Sequence, residues 1–232
     1  MLFIVTFIGF AESLPEKKRR SLAPGPLAAS YVTVLSDKRF IGFTLVYSFG
    51  FACMFSYISG SASMLMGELK LSETAFSLIF AVTSCGILFG SLLSSRLSRK
   101  QVPSHRIINS GLAAMGSSAG LLFALVYAGI VSAFIIAPLV AIVIFCFGLI
   151  TPSANHEALH KLGHVAGSAS GVMRCIQMLF GAIASALVAA LEPTGNPALN
   201  MAGLMLASLL LAGGAYLFVM RTERASVTAA TD

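Results

Sequence analysis

Six apolar stretches constrain this chain more than any other feature, because each is about as long as the roughly 20 residues a helix needs to cross a bilayer. They occupy residues 40–61, 75–95, 107–129, 133–151, 165–191 and 198–220, and each is bounded by a charged or Pro-, Gly- or Asn-containing segment. In hydrocarbon the backbone must satisfy its own hydrogen bonds, so uninterrupted apolar runs of this length are helices. The chain therefore reads as an all-α, polytopic membrane protein built on a six-helix bundle. The connection at residues 129–132 is so short that the third and fourth helices must be antiparallel neighbours. Composition agrees: 57% of the 232 residues are hydrophobic and 10% are charged, with a mean hydropathy of +0.89. A soluble domain carries about a quarter charged residues, which excludes a water-soluble enzyme. No extramembrane segment is long enough to fold as a catalytic domain, so whatever the chain does is expected within the bilayer.

The charges give the topology. Six Lys and Arg lie in residues 12–39, four in 96–106, one at Lys161 and two at Arg221 and Arg224, all on one side. The other side holds Lys70, and Arg174 falls within a helix. The positive-inside rule then places residues 12–39, 96–106 and the tail at 221–232 in the cytoplasm. The net charge of +6 thus reports orientation. It does not point to a nucleic-acid partner, since the basic residues are spread over loops without a binding motif. Residues 12–39, with Pro15, Pro24, Gly25 and Pro26, read as a flexible cytoplasmic linker leading into the bundle at 40–220. Residues 1–11 are apolar but would reach only about 16 Å as a helix. Their positive charge follows at Lys17, Lys18, Arg19 and Arg20, whereas a signal peptide carries it in front. They are expected to be a partial membrane helix, the tail of one whose beginning is missing. Tyr must supply any interfacial anchoring, because the chain has no Trp. Cys53, Cys85, Cys146 and Cys175 all sit in apolar runs and read as packing residues, with neither a disulfide nor a metal implied.

Two helix faces carry chemistry. On the first span, Thr44, Tyr47, Ser48, Phe51, Phe55 and Ser59 recur at spacings of three and four and share one face. Rings with interspersed hydroxyls suit a pocket for amphipathic organic molecules; packing against lipid or a neighbouring helix is the plainer account. With these six helices alone, this aromatic face is expected to stand open to lipid or to a second copy. On the fifth span, Gly167, Gly171, Arg174, Gln177, Gly181 and Ser185 share a face. Ionisable residues inside membranes usually face a bundle interior or water, so Arg174 either contacts a bound molecule or a facing helix bundle, or snorkels toward the cytoplasm. The GxxxG pairs Gly86/Gly90, Gly116/Gly120, Gly163/Gly167 and Gly167/Gly171 read as helix-packing positions.

One motif argues for another class. His156-Glu157-Ala158-Leu159-His160 fits HExxH, in which two His bind zinc and the Glu acts as base. The extended pattern fails at Ala166, where a third His belongs; His164 could close the set only if the helix continued past Gly163. A solvated cytoplasmic loop is the favoured reading, and no metal or cofactor is expected.

Further motifs carry a family resemblance. Phe40-Ile-Gly-Phe-Thr-Leu and Tyr57-Ile-Ser-Gly-Ser resemble the seventh helix of the bicyclomycin-resistance (Bcr/CflA) exporters of the major facilitator superfamily. Gly90-Ser-Leu-Leu-Ser-Ser-Arg96-Leu-Ser-Arg99-Lys100 is similar to that superfamily's loop motif between helices eight and nine. Ser95 stands where the usual acid belongs, so the acid's charge-relay role is not carried over. Gln177-Met-Leu-Phe-Gly181 resembles the eleventh helix. The physical reading of Arg96, Arg99 and Lys100 is twofold: topology anchors, or a gating latch that would need an acidic partner. The resemblance covers nearly the whole chain as the C-terminal half of a twelve-helix transporter. It implies a bacterial inner-membrane protein and proton-coupled efflux of small amphipathic compounds, working with a matching N-terminal half that supplies the proton-carrying acid. Tyr47, Phe51, Phe55, Tyr57 and Ser59 are the expected substrate residues, with Arg174 and Gln177 beside them. The alternatives are an inactive or accessory membrane fragment and, further off, a membrane-embedded zinc protease.

Overall fold

The structure is a computed structural model that describes residues 24–228. Among the described residues all regular structure is helical. The partial helix expected at residues 1–11 and the basic run Lys17–Arg20 lie outside the described residues.

Helix α1 (Pro24–Ser36) occupies part of the segment read above as a flexible linker. Proline in a first helical turn removes no needed hydrogen bond, so the Pro24-Gly25-Pro26 signal marks a helix start here. Its Ser30 and Val34 are buried. Asp37 then caps α2 (Lys38–Ala62), accepting a 2.8 Å hydrogen bond from the Phe40 amide. A wide turn of π-helix at Ser63–Glu68 ends it. Helix α3 (Glu73–Arg99) is capped by Ser72 and carries Glu73 in its first turn and Arg96 and Arg99 in its last, each sign at the dipole end that favours it. Helix α4 (Ser104–Tyr127) follows Pro103. Helix α5 (Ala133–Leu159) runs through both Pro138 and Pro152. The apolar run ends at Thr151, but one hydrogen bond lost at a proline does not end a helix packed on several sides. The stretch His160–Val165 is 3-10, and Leu162 is non-helical at φ −102° and ψ 23°. That break separates α5 from α6 (Ala166–Leu191). Gly195, at φ +77°, makes the left-handed turn before α7 (Pro197–Thr228). The last helix thus continues into the segment expected as a tail, since a helix leaving the bilayer need not stop where its apolar residues do.

Six of these helices, α2 to α7, are long enough to span, and the chain is an all-α polytopic membrane protein. Helix α2 is the hub, packed by α5, α6 and α7; α3 packs on α5, and α4 on α5 and α7. Helices α3 and α5 come together without side chains between them. A Cβ added at Gly90 would lie 2.0 Å from the Phe145 carbonyl oxygen, and one at Gly148 would lie 2.4 Å from that of Ile87. Backbone therefore meets backbone, which only glycine permits. A Cβ at Gly116, Gly120, Gly163, Gly167 or Gly171 would meet nothing within 4 Å, so of the four GxxxG pairs only Gly86/Gly90 packs within this chain.

Side-chain contacts fix which helix ends lie together. Arg39, at the start of α2, forms an ion pair with Glu157 near the end of α5. Ser104, at the start of α4, also lies beside Glu157. Tyr216, toward the end of α7, donates to the His105 carbonyl at 3.1 Å. The basic segments around Lys38 and Arg39, residues 96–106, Lys161 and Arg221 thus gather at one end of the bundle. At the other end Ser63 donates to Glu192 at 2.8 Å, and the Ala198 amide donates to Glu68 at 3.2 Å.

Candidate functional site

The two chemistry-bearing faces read from the sequence meet each other. Going along α2 and α6 together, Arg174 donates from Nη1 to the Tyr47 hydroxyl at 2.5 Å and to Gln177 Oε1 at 2.8 Å. Phe51 and Phe55 then lie over Gly181, where an added Cβ would come within 2.7 Å of the Phe51 ring. Farther on, the Ser59 and Ser185 hydroxyls are 2.7 Å apart. Beyond them a small cavity of about 90 Å³ opens, its polar lining made by Ser59, Ser63, Ser185, Glu192 and Asn200.

The aromatic face of α2 does not stand open in this chain. Tyr47 is 3% exposed and Phe51 7%. Gly181 lets α6 come down on the rings, while Phe147 of α5 covers their other side. Its ring centroid lies 6.0 Å from that of Tyr47, stacked, and 6.1 Å from that of Phe51. Phe55 remains half-buried, with its centroid 4.5 Å from that of Phe51. Tyr57 is separated from the group: it points to α3, where it stacks on Phe80 at 5.9 Å and meets the Thr83 hydroxyl at 3.0 Å. Thr83 gives its own proton to the Phe80 carbonyl, so Tyr57 is the donor. The structure therefore brings together Tyr47, Phe51, Phe55, Ser59, Arg174 and Gln177 but not Tyr57. Phe147 was not legible as a member of this group, because α5 is apolar on every side and shows no preferred face.

Arg174 is the ninth residue of α6, about 12 Å along it at 1.5 Å per residue. Gln177, one turn deeper, is 2% exposed. The guanidinium is bound between Tyr47 and Gln177 rather than extended toward the helix start, which is where snorkelling would carry it.

The remaining motif residues divide plainly. Gly90 is a buried packing position, whereas Arg96, Arg99 and Lys100 are exposed at the end of α3. The HExxH segment corrects the loop reading, since His156 and Glu157 lie on α5. Glu157 is held by Arg39, whose guanidinium carbon also lies 5.6 Å from the Phe43 ring centroid. The His156 and His160 rings are exposed, with centroids 5.7 Å apart. Among the described residues no three of His, Cys, Asp and Glu assemble as a metal-binding group. Sequence reasoning missed the Arg39–Glu157 pair because 118 residues separate its members.

Residues 1–185 match the family model described as the Major Facilitator Superfamily. The chain belongs to the major facilitator superfamily, whose members are membrane transporters. It is 27% identical over 197 residues to the uncharacterized MFS-type transporter YdgK of Bacillus subtilis (strain 168), an alignment covering 85% of this chain and 48% of that protein. The chain thus spans about half the length of that relative.

Proposed function

We propose that this chain is the C-terminal six-helix half of a proton-coupled exporter of small amphipathic compounds, of the Bcr/CflA type, in a bacterial inner membrane. The observation that carries the reading is the α2–α6 seam. Tyr47, Phe51 and Phe55 line it with rings, and it holds Arg174, the ionisable residue set within a span. In major facilitator transporters substrate sites lie near the bilayer midplane at the interface between repeats.

Two bare surfaces agree with a partner half. Helix α3 is covered by α5 along one strip, while Leu78, Val82, Leu88 and Phe89 remain exposed. Helix α6 leaves Gly167, Gly171, Arg174 and Met178 exposed along one face. The basic end of the bundle is read as cytoplasmic by the positive-inside rule. Glu68, Glu73, Glu157 and Glu192 all sit at helix ends, so the proton-carrying acid is assigned to the other half.

Dye efflux in cells lacking other pumps tests the reading. The chain joined to a matching N-terminal half should give efflux that an uncoupler abolishes, and the 232-residue chain alone should give none. Uncoupler-sensitive efflux by the chain alone would overturn the partner requirement.

A further inference from the structure

Resting on the transporter reading above, we propose that Arg174, held by Tyr47 and Gln177, is a subsite for an oxyanion, so that the transported molecule is an amphipathic organic anion such as an aromatic carboxylate. The donors of the guanidinium carry the proposal. It has five N–H groups and no acceptor. The two on Nη1 go to the Tyr47 hydroxyl and to Gln177 Oε1. Both acceptors are neutral, so they orient the group without cancelling its charge. The Nε–H and Nη2–H edge on the other side has no partner among the described residues. That edge is a pair of parallel donors whose spacing matches the two oxygens of a carboxylate.

The charge balance points the same way. Among the described residues the ion pair is Arg39–Glu157, and Arg174 has no carboxylate. An uncompensated guanidinium in a membrane span is costly, and such residues pair with a counter-charge or face a water-filled path. An oxyanion seated on the open fork supplies both the charge and two hydrogen bonds.

There is also room for the rest of a ligand. Gly171, one turn before Arg174, would meet nothing within 4 Å even if it carried a Cβ. Met178, one turn beyond, is exposed and offers apolar contact on the same face. A carboxylate on Arg174 with its apolar body along Met178 occupies the stretch from Gly171 to Met178, between this face and a facing half.

The site lies within this chain, so binding can be measured without transport. The full chain, in bilayer discs of phosphatidylcholine, is irradiated with benzophenone-4-carboxylate or with 4-(aminomethyl)benzophenone, and labelled peptides are identified by mass spectrometry. The carboxylate should label α2 and α6 peptides around Tyr47 and Arg174 about tenfold more than the amine does, the scale of losing charge-assisted hydrogen bonds. Arg174→Gln should bring carboxylate labelling down to the amine level. Arg174→Lys, which keeps the charge but not the fork, should retain part of it, and helical content by circular dichroism should be unchanged in both variants. Equal labelling by the two probes, or full labelling in Arg174→Gln, would overturn the subsite. Loss of labelling on joining a matching N-terminal half that still exports dye would also overturn it, by showing that an acid of that half occupies the fork. Dye export by the joined transporter decides the transporter reading separately, since it does not depend on which probe binds the isolated chain.

Discussion

Ser59 of α2 and Ser185 of α6 share a hydrogen bond of 2.7 Å, which makes α2 and α6 neighbours toward their far ends. Tyr47 and Arg174 meet nearer the start of the same two helices, so both run in the same direction. Three helices connect them and must cross back and forth between, which is what gathers the basic segments at one end of the bundle.

That end is predicted to be cytoplasmic. With the native cysteines replaced, a membrane-impermeant thiol reagent applied to intact cells should label Gly67→Cys and should not label Ser98→Cys. Both positions are exposed, so burial cannot account for a difference. Labelling of Ser98→Cys from outside would reverse the orientation.

The α3–α5 contact has no room for a side chain. Gly90→Leu and Gly148→Leu should each lower stability in detergent by about 3 kcal/mol, the upper part of the usual overpacking range, because the atoms in the way are backbone and cannot turn aside. Gly120→Ala, at a position open in this chain, should change it by about 0.5 kcal/mol or less. Thermal unfolding followed by circular dichroism compares them; similar midpoints for all three would contradict the backbone contact.

Arg39 and Glu157 join α2 to α5 and are partly buried, with side-chain exposures of 24% and 17%. Glu157→Gln should cost about 1–3 kcal/mol, less than for a fully buried pair because solvent still screens it. The double exchange Arg39→Glu with Glu157→Arg should recover part of the loss. In contrast, His156→Ala and His160→Ala should leave transport unchanged. Stoichiometric zinc in the purified protein, lost in both His variants, would restore the protease reading.

The six spans were legible because each apolar run reaches the length of a bilayer, and hydrocarbon leaves the backbone no alternative to helix. Their ends were less so. The apolar run of the fourth span ends at Thr151, yet α5 runs to Leu159, because polar residues beyond a proline can continue a helix that is packed on several sides. The faces of α2 and α6 followed from spacings of three and four, but nothing local could say that they face each other. That depends on Gly181 receiving the Phe51 ring, and a glycine in a membrane helix has many other uses. Phe147 and the Arg39–Glu157 pair were invisible for a related reason: each is defined by a partner far away in the chain.

Phe51 and Phe55 should now behave differently. Phe51 is buried between Gly181 and Phe147, so Phe51→Ala should destabilise the chain by about 3 kcal/mol through the cavity it leaves. Phe55 is half-buried, and Phe55→Ala should keep most of the stability while changing which dyes a joined transporter exports. Unfolding midpoints and dye panels measured on both variants check this. Equal stability of the two would contradict the seam as described.

The central claim, that this chain is one half of a proton-coupled transporter, is tested most directly in proteoliposomes with an imposed pH gradient. The chain reconstituted with a matching N-terminal half should move dye when the gradient is applied and stop when an ionophore collapses it, while the chain alone should move none. Gradient-driven movement by the chain alone, or none by the joined halves in a folded state, would contradict the account.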